Sequence, residues 1–294
     1  MRNTPLARAA ARVAPFALLG AVALAGCAAT GSLTSASPPA SGTSATTPTG
    51  AAPTVPAGGA TRWWHPPAHL NWQWQLSGTV DTSVAAQLYD IDLFDSPATL
   101  VAQLHAAGRK VACYLDAGSW ENWRPDAGKF PAAVLGKPLG GWPGERYVDI
   151  RRLDVLGPIL AARVALCQAK GFDAVEFDNV DAYENDSGFP LTGADQLRFN
   201  RWLAAEGHAH GLAVALKNDP DQVAELVADF DWALVEQCFQ YNECDAWQPF
   251  LAAGKPVMEV EYSLAPARFC PQARAMGFNA MAKHLSLDAY RVVC

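Results

Sequence analysis

The residues from Gly171 to Asp181 read Gly-Phe-Asp-Ala-Val-Glu-Phe-Asp-Asn-Val-Asp. Side chains alternate along an extended chain, so Glu176 and Asp178 share one face and Val175 and Phe177 the other. Two further segments end in the same manner, Trp232 to Glu236 on a carboxylate and Ala213 to Lys217 on an ammonium. Two carboxyls at the ends of neighbouring strands can cleave a glycosidic bond. One protonates the leaving oxygen, and the other attacks the anomeric carbon or activates water, with separations of about 5–5.5 Å for retention and roughly 6.5–9.5 Å for inversion. A cation beside them holds one carboxyl ionised while the other, in a drier setting, keeps its proton. Asp178 and Glu236 are therefore the candidate catalytic pair. Lys217 is their charge partner, or alternatively a structural counter-ion for Asp178 or Glu176.

Other polar residues close strand-like segments. Asp92, Asp116, Asp181 and Glu261, with Glu176 and Asn179 beside the pair, are expected to line a groove suited to amines or many hydroxyls. Trp74, Trp120, Trp123 and Tyr262 supply flat apolar rings with polar edges, natural platforms for pyranose faces. The histidines show no ligand spacing and no Cys-x-x-Cys occurs, so neither a metal nor a cofactor is expected.

The elements that must position these residues follow from apolar period and turn punctuation. Strands are expected near Trp72–Leu76, Gln87–Leu93, Lys110–Asp116, Ala174–Asp178, Ala213–Lys217, Trp232–Glu236, Pro256–Glu261 and Phe278–Lys283. Helical stretches separate most of them. Ser96-Pro97 is expected to open one such helix, with Ser96 as its N-cap, and Gly108, Gly171 and Gly211 close successive helices. Repeated βα units make a parallel sheet. One face of each strand is aliphatic and the other mixed, as when helices cover one side and a lumen the other. A doubly wound sheet would instead bury both faces in continuous apolar runs. The reading is a single-domain α/β fold, a (β/α)8 barrel of the TIM type without a helix between its first two strands. The chemistry of such a barrel sits at the downstream strand ends.

Six cysteines fall within this region. Cys113 alternates with Val111 and Leu115 and so points toward the helix layer, where Cys167 ends a helix; these two should bond. Cys238 and Cys244 flank a short loop after the Glu236 strand, and Cys270 with Cys294 would staple the last segment. Such an even set fits an oxidising compartment.

Taken together, Trp72-Gln73-Trp74-Gln75-Leu76, Tyr89-Asp90-Ile91-Asp92, Ala117-Gly118-Ser119-Trp120-Glu121, Tyr147-Val148-Asp149-Ile150-Arg151 and Phe177-Asp178-Asn179-Val180-Asp181 resemble glycoside hydrolase family 114, the endo-α-1,4-polygalactosaminidases. The resemblance runs in order from Trp64 to Lys283. It implies a TIM-type barrel, hydrolysis of α-1,4-linked galactosamine polymers, and Asp178 and Glu236 as the matching acidic pair, with a lean toward Asp178 as nucleophile and Glu236 as acid/base. An amino-sugar polysaccharide is then the expected partner, acted on by a monomer. A non-catalytic carbohydrate-binding lipoprotein on the same barrel is the alternative. A net charge of −7 suits a cationic glycan and argues against nucleic acid.

Location is written at the start of the chain. Arg2, Arg8 and Arg12 precede an apolar run from Val13 to Ala25 that is too short for a mature membrane span, an export signal. It ends in Leu24-Ala25-Gly26-Cys27, which resembles the lipobox of bacterial lipoproteins. Residues 1–26 are then the signal peptide, and Cys27 becomes a lipidated N-terminus at the outer membrane face. Residues 27–61 are an uncharged Ala/Gly/Ser/Thr/Pro tether unable to bury enough apolar surface to fold, and 62–294 the barrel domain. The expected outcome is that Cys27→Ser moves the protein from the membrane fraction to the soluble one; unchanged fractionation refutes lipidation.

Overall fold

The computed structural model describes residues 63–294, so the expected signal, tether and Cys27 lie outside the described residues. The chain opens with β1 (Trp72–Gln75), β2 (Leu88–Asp92), helix α1 (Ala98–Ala106) and β3 (Lys110–Asp116). An insertion follows, in which β4 (Ser119–Glu121), β5 (Leu135–Pro138) and β6 (Glu145–Val148) form an antiparallel flap in the order β4-β6-β5. Helix α2 (Leu153–Lys170) leads back to β7 (Ala174–Asp178), α3 (Gly193–Ala209), β8 (Ala213–Lys217) and the short α4 (Val223–Leu226). Then come β9 (Trp232–Glu236), α5 (Cys238–Tyr241), α6 (Gln248–Ala252), β10 (Val257–Glu261), α7 (Pro266–Met276), β11 (Asn279–Ala282) and β12 (Val292–Val293).

All the barrel strands expected from alternation are present. They pair in parallel in the order β1-β2-β3-β7-β8-β9-β10-β11, with β12 antiparallel beyond β11. Lumen positions are filled by Trp72, Trp74, Leu88, Ala112, Ala174 and their neighbours, while Val111, Cys113, Val175, Val214 and Leu216 pack outward against the helices. This two-sided core is a (β/α)8 barrel. Helix α3 lies so close to the sheet that a Cβ on Gly207 would meet Val214 Cγ2 at 2.5 Å, so only glycine fits there.

As expected, no helix joins β1 to β2 among the described residues. The loop between them runs from Leu76 to Gln87, and the Gln75 side chain stitches it, donating to the Ser77 and Thr79 carbonyls and accepting from the Asp81 N–H. Helix α1 differs from expectation by one residue. It begins at Ala98, with Pro97 in extended conformation at the cap, because the Pro97 carbonyl accepts the first helical N–H bonds; Ser96 instead turns its carbonyl to Lys170 Nζ at 2.8 Å.

The seam between β11 and β1 is built differently from the other strand pairs. Trp72 Nε1 donates to the Asn279 carbonyl at 2.8 Å and the Leu70 N–H to Asn279 Oδ1 at 3.1 Å. The segment after β11 then wedges in. Leu287 O accepts from Leu76 N at 2.9 Å, Ala289 O from Gln73 Nε2 at 2.9 Å, and Arg291 donates to the Trp72 carbonyl. Cys113–Cys167, Cys238–Cys244 and Cys270–Cys294 close as three disulfides, the last pinning this wedge to α7. Cross-linking residues 24 apart restrains the unfolded chain by about 3 kcal/mol. The double variant Cys270→Ser/Cys294→Ser should therefore melt roughly 5–10 °C below the parent in a scanning calorimeter, and an unchanged Tm would show that the wedge holds without its bond.

Candidate active site

Lys217 closes β8 and is almost fully buried. Its ammonium lies 2.7 Å from Asp178 Oδ1 at the end of β7 and 3.0 Å from Glu236 Oε2 at the end of β9. It also lies 3.7 Å from Glu176 Oε1 and rests 5.2 Å above the Trp74 ring. Parallel neighbours in a barrel bring their last lumen-facing side chains together, which is why three residues far apart in sequence meet on one nitrogen.

Each carboxylate has further donors. Asp178 accepts from the Tyr114 hydroxyl at 3.0 Å and from the Asn179 N–H at 2.8 Å. Glu236 accepts from the Tyr262 hydroxyl at 2.5 Å and from Asn218 Nδ2 at 3.1 Å, while Asn218 Oδ1 takes the Glu236 N–H at 3.0 Å. The backbone turns that allow this are left-handed. Asn179, Asn218 and Gln237, each the residue after a site side chain, have φ of 59°, 51° and 60°. Asn tolerates this region; glutamine does so less readily, and such strain gathers at functional sites.

The structure brings Asp178, Glu236, Lys217, Glu176, Trp74 and Tyr262 into one cluster, with Asn179 on its edge. Other expected groove residues sit elsewhere. Asp92 is buried, held by both Nη atoms of Arg124 at 2.9 and 2.6 Å, and caps the turn at Phe94. Asp116 is buried beneath the rim, bonded to Ser119 and Asn179. Trp120 is half-buried with its Nε1 on the Ala127 carbonyl at 3.1 Å. Trp123 is 53% exposed on the same flap. Asp181 lies half-buried at the entrance to a short 3-10 turn.

Glu261 requires a correction. On β10 the lumen positions belong to Met258 and Val260, so Glu259 and Glu261 face the helix layer, and Glu261 Oε1 caps α5 by accepting from Phe239 N and Gln240 N at 3.0 Å each. Met-Glu-Val-Glu alternates equally well in either register, and only the neighbouring strands decide it. Residues that sequence reasoning missed are Tyr114, Asn218, Ser119 and Glu145. An Asn directly after a strand-ending Lys was the available signal for Asn218, since Asn favours the left-handed turn.

Acids far outnumber cations here, and burial keeps several of them protonated. Glu176 and Asp90 neighbour each other beneath Lys217, near enough for one carboxyl to share a proton with the other, and no other hydrogen-bond partner reaches their oxygens. Burial pushes Asp90 up to about 7 and Glu176 well above its ordinary range, the latter also through the charge of Asp90. Burial, then the neighbouring Asp181 and Glu184, raise Asp219 to about 8. Burial likewise raises the Tyr114 hydroxyl, reinforced by Asp178, Asp116, Glu121 and Glu145, so it stays a donor.

These folded acids retain protons that the unfolded chain releases. Their stabilising effect is complete below the unfolded value of about 4 and is lost as pH rises through the folded values of about 7 to 8. The Tm should therefore fall between pH 5 and pH 8, and Asp90→Asn, which keeps a partner for Glu176 without titrating, should flatten that fall. Equal slopes for parent and variant would show that Asp90 is ionised in the folded protein.

Known proteins resemble this chain in sequence and in fold. The model of the glycoside-hydrolase family GH114 matches residues 53–294. Aspergillus fumigatus Ega3, solved in complex with galactosamine, superposes with a TM-score of 0.76 at 38% identity, covering 81% of this chain and 100% of that one. The glycoside hydrolase domain of PelA from Pseudomonas aeruginosa shares the fold, with a TM-score of 0.61 at 15% identity over 77% of this chain and 98% of that one. An uncharacterised protein of Deinococcus radiodurans is 29% identical over 255 residues, 74% of this chain and 81% of the relative. With the family model spanning the entire barrel, this chain belongs to glycoside hydrolase family GH114 and is a glycoside hydrolase.

Proposed function

We propose that this protein is an exported, lipid-tethered enzyme that hydrolyses α-1,4-linked galactosamine-containing polysaccharide, with Asp178 as nucleophile and Glu236 as acid/base. The observation that carries this reading is the single Lys217 ammonium shared by the two carboxylates. Oxygens that both touch one nitrogen, at 2.7 and 3.0 Å, are no more than about 6 Å apart, the range of retaining rather than inverting enzymes.

The roles follow from the donors. Asp178 receives a backbone N–H, the ammonium and a hydroxyl held protonated by burial, all of which favour the ionised nucleophile. Glu236 touches the Tyr262 hydroxyl, which can donate to a carboxylate or accept from an acid, so Glu236 can hold its proton in one half of the cycle and release it in the other. Asp178 attacks the anomeric carbon as Glu236 protonates the departing oxygen, giving a glycosyl ester. Glu236 then takes a proton from water, which attacks the same carbon and frees Asp178.

The substrate class is supported by the galactosamine bound to Ega3 and by charge. Burial, then the nearby Asp221 and Asp181, raise the affinity of Glu184 for protons, and the negative charge of these neighbours is a field that draws ammonium groups. Trp123, exposed on the flap, offers a ring face to a pyranose.

The test is incubation with α-1,4-galactosamine oligomers, sizing products by mass spectrometry and reading the anomer first formed by NMR. Asp178→Asn and Glu236→Gln should each lower turnover at least about a thousandfold with unchanged circular dichroism, and the parent should release product with its α configuration kept. Parent-level turnover in both variants would overturn the catalytic assignment.

A further inference from the structure

Asp178 is linked to the flap through consecutive short contacts. The Asn179 N–H donates to Asp178 Oδ1 at 2.8 Å, and Asn179 Nδ2 donates to Asp116 Oδ2 at 2.6 Å. Ser119 gives Asp116 its N–H and its hydroxyl, both at 2.6 Å. The Ser119 hydroxyl also lies 3.1 Å from Glu145 Oε2, at the start of β6. A hydroxyl has one hydrogen, and the shorter contact assigns it to Asp116. The contact with Glu145 is then attractive only when Glu145 brings the proton and Ser119 accepts it.

The surroundings of Glu145 favour the neutral acid. Glu121 stands opposite it on β4, Asp116 and Tyr114 approach from β3, and Asp178 from β7. Arg124 is engaged by Glu121 and Asp92, and Arg163 by Asp126 and the Asp116 carbonyl. Arg146, next to Glu145, turns to the Gly136 and Leu135 carbonyls. Burial first, then the charges of Asp116, Asp178 and Glu121, push Glu145 up to about 9.

We propose that Glu145 is a positioning residue for hydrolysis: it holds the proton that completes the chain Glu145–Ser119–Asp116–Asn179–Asp178 and thereby fixes the nucleophile's carboxylate. This deepens the reading above and rests on Asp178 being the nucleophile. Loss of the proton sets two anions on one hydroxyl. Ser119 can then satisfy only one, Asp116 loses a donor or gains a like charge, and the Asn179 turn that aims Asp178 loosens.

The experiment uses galactosamine oligomers carrying an activated aryl leaving group, which departs without a proton and so separates attack by Asp178 from the acid role of Glu236. Glu145→Gln donates an amide N–H to Ser119 at every pH. It should move the alkaline limb of kcat/KM upward by about one pH unit or more, while Glu145→Leu, with no donor, lowers kcat about tenfold with KM within twofold. Superimposable profiles for parent and Glu145→Gln overturn the proposal, and that isosteric variant carries the test if Glu145→Leu does not fold. Infrared difference spectra at neutral pH need no substrate. The parent should show a protonated-carboxyl carbonyl band that Glu145→Gln lacks, and its absence overturns the proposal. Full activity of Asp178→Asn would instead sink the nucleophile assignment, a separable result.

Discussion

A lysine ammonium held out of water at the mouth of a barrel is costly, by several kcal/mol, unless anions surround it. Lys217 meets this condition only because β7, β8 and β9 lie side by side, so that Asp178 and Glu236 reach it from either hand while Trp74 closes it from below. The arrangement constrains in both directions. Removing either acid leaves the cation undercompensated, and removing the cation sets two carboxylates against each other at short range. The ammonium thus holds the two acids at a short, fixed separation before any substrate arrives.

The same crowding has a second consequence. One lysine cannot neutralise Glu176, Asp90 and Glu145 as well, and the fold answers with protons instead of further cations. Asp90 with Glu176 in the lumen, Glu259 with Glu261 behind β10, and Glu145 under the flap all sit above their ordinary range, chiefly through burial. Their neutrality leaves the field of Lys217 for the two carboxylates that face the groove.

Much of this was legible in the chain. The alternation of Val111, Cys113 and Leu115 against Tyr114 and Asp116 predicted both the strand and the direction of Cys113, and the bond to Cys167 followed. The cluster of Asp178, Lys217 and Glu236 was readable because each ends a strand whose other face is plainly aliphatic. Glu261 was not, since Met258 and Val260 are as apolar as a helix-facing pair would be. The flap was also hidden. Its strands are short and irregular, and the role of Glu145 depends on a pairing across β4 and β6 that no local pattern announces. Gly118 shows the same limit: a Cβ there would meet the Asn179 carbonyl at 1.6 Å, a clash between loops sixty residues apart that composition alone does not reveal.

The wedge at the seam bears on how the molecule assembles. Trp72 and Asn279, joined by one hydrogen bond, are 207 positions apart, and Lys283 and Gln73 meet across 210. Contacts of such long reach form late and slowly, after the loop-closure entropy of nearly the whole domain has been overcome. Until then the sheet is an open crescent with two unpaired edges, an invitation to strand addition from another copy. Closing that crescent falls to the segment after β11, whose Leu287, Ala289 and Arg291 bind β1 where no direct β1–β11 strand pairing is present among the described residues.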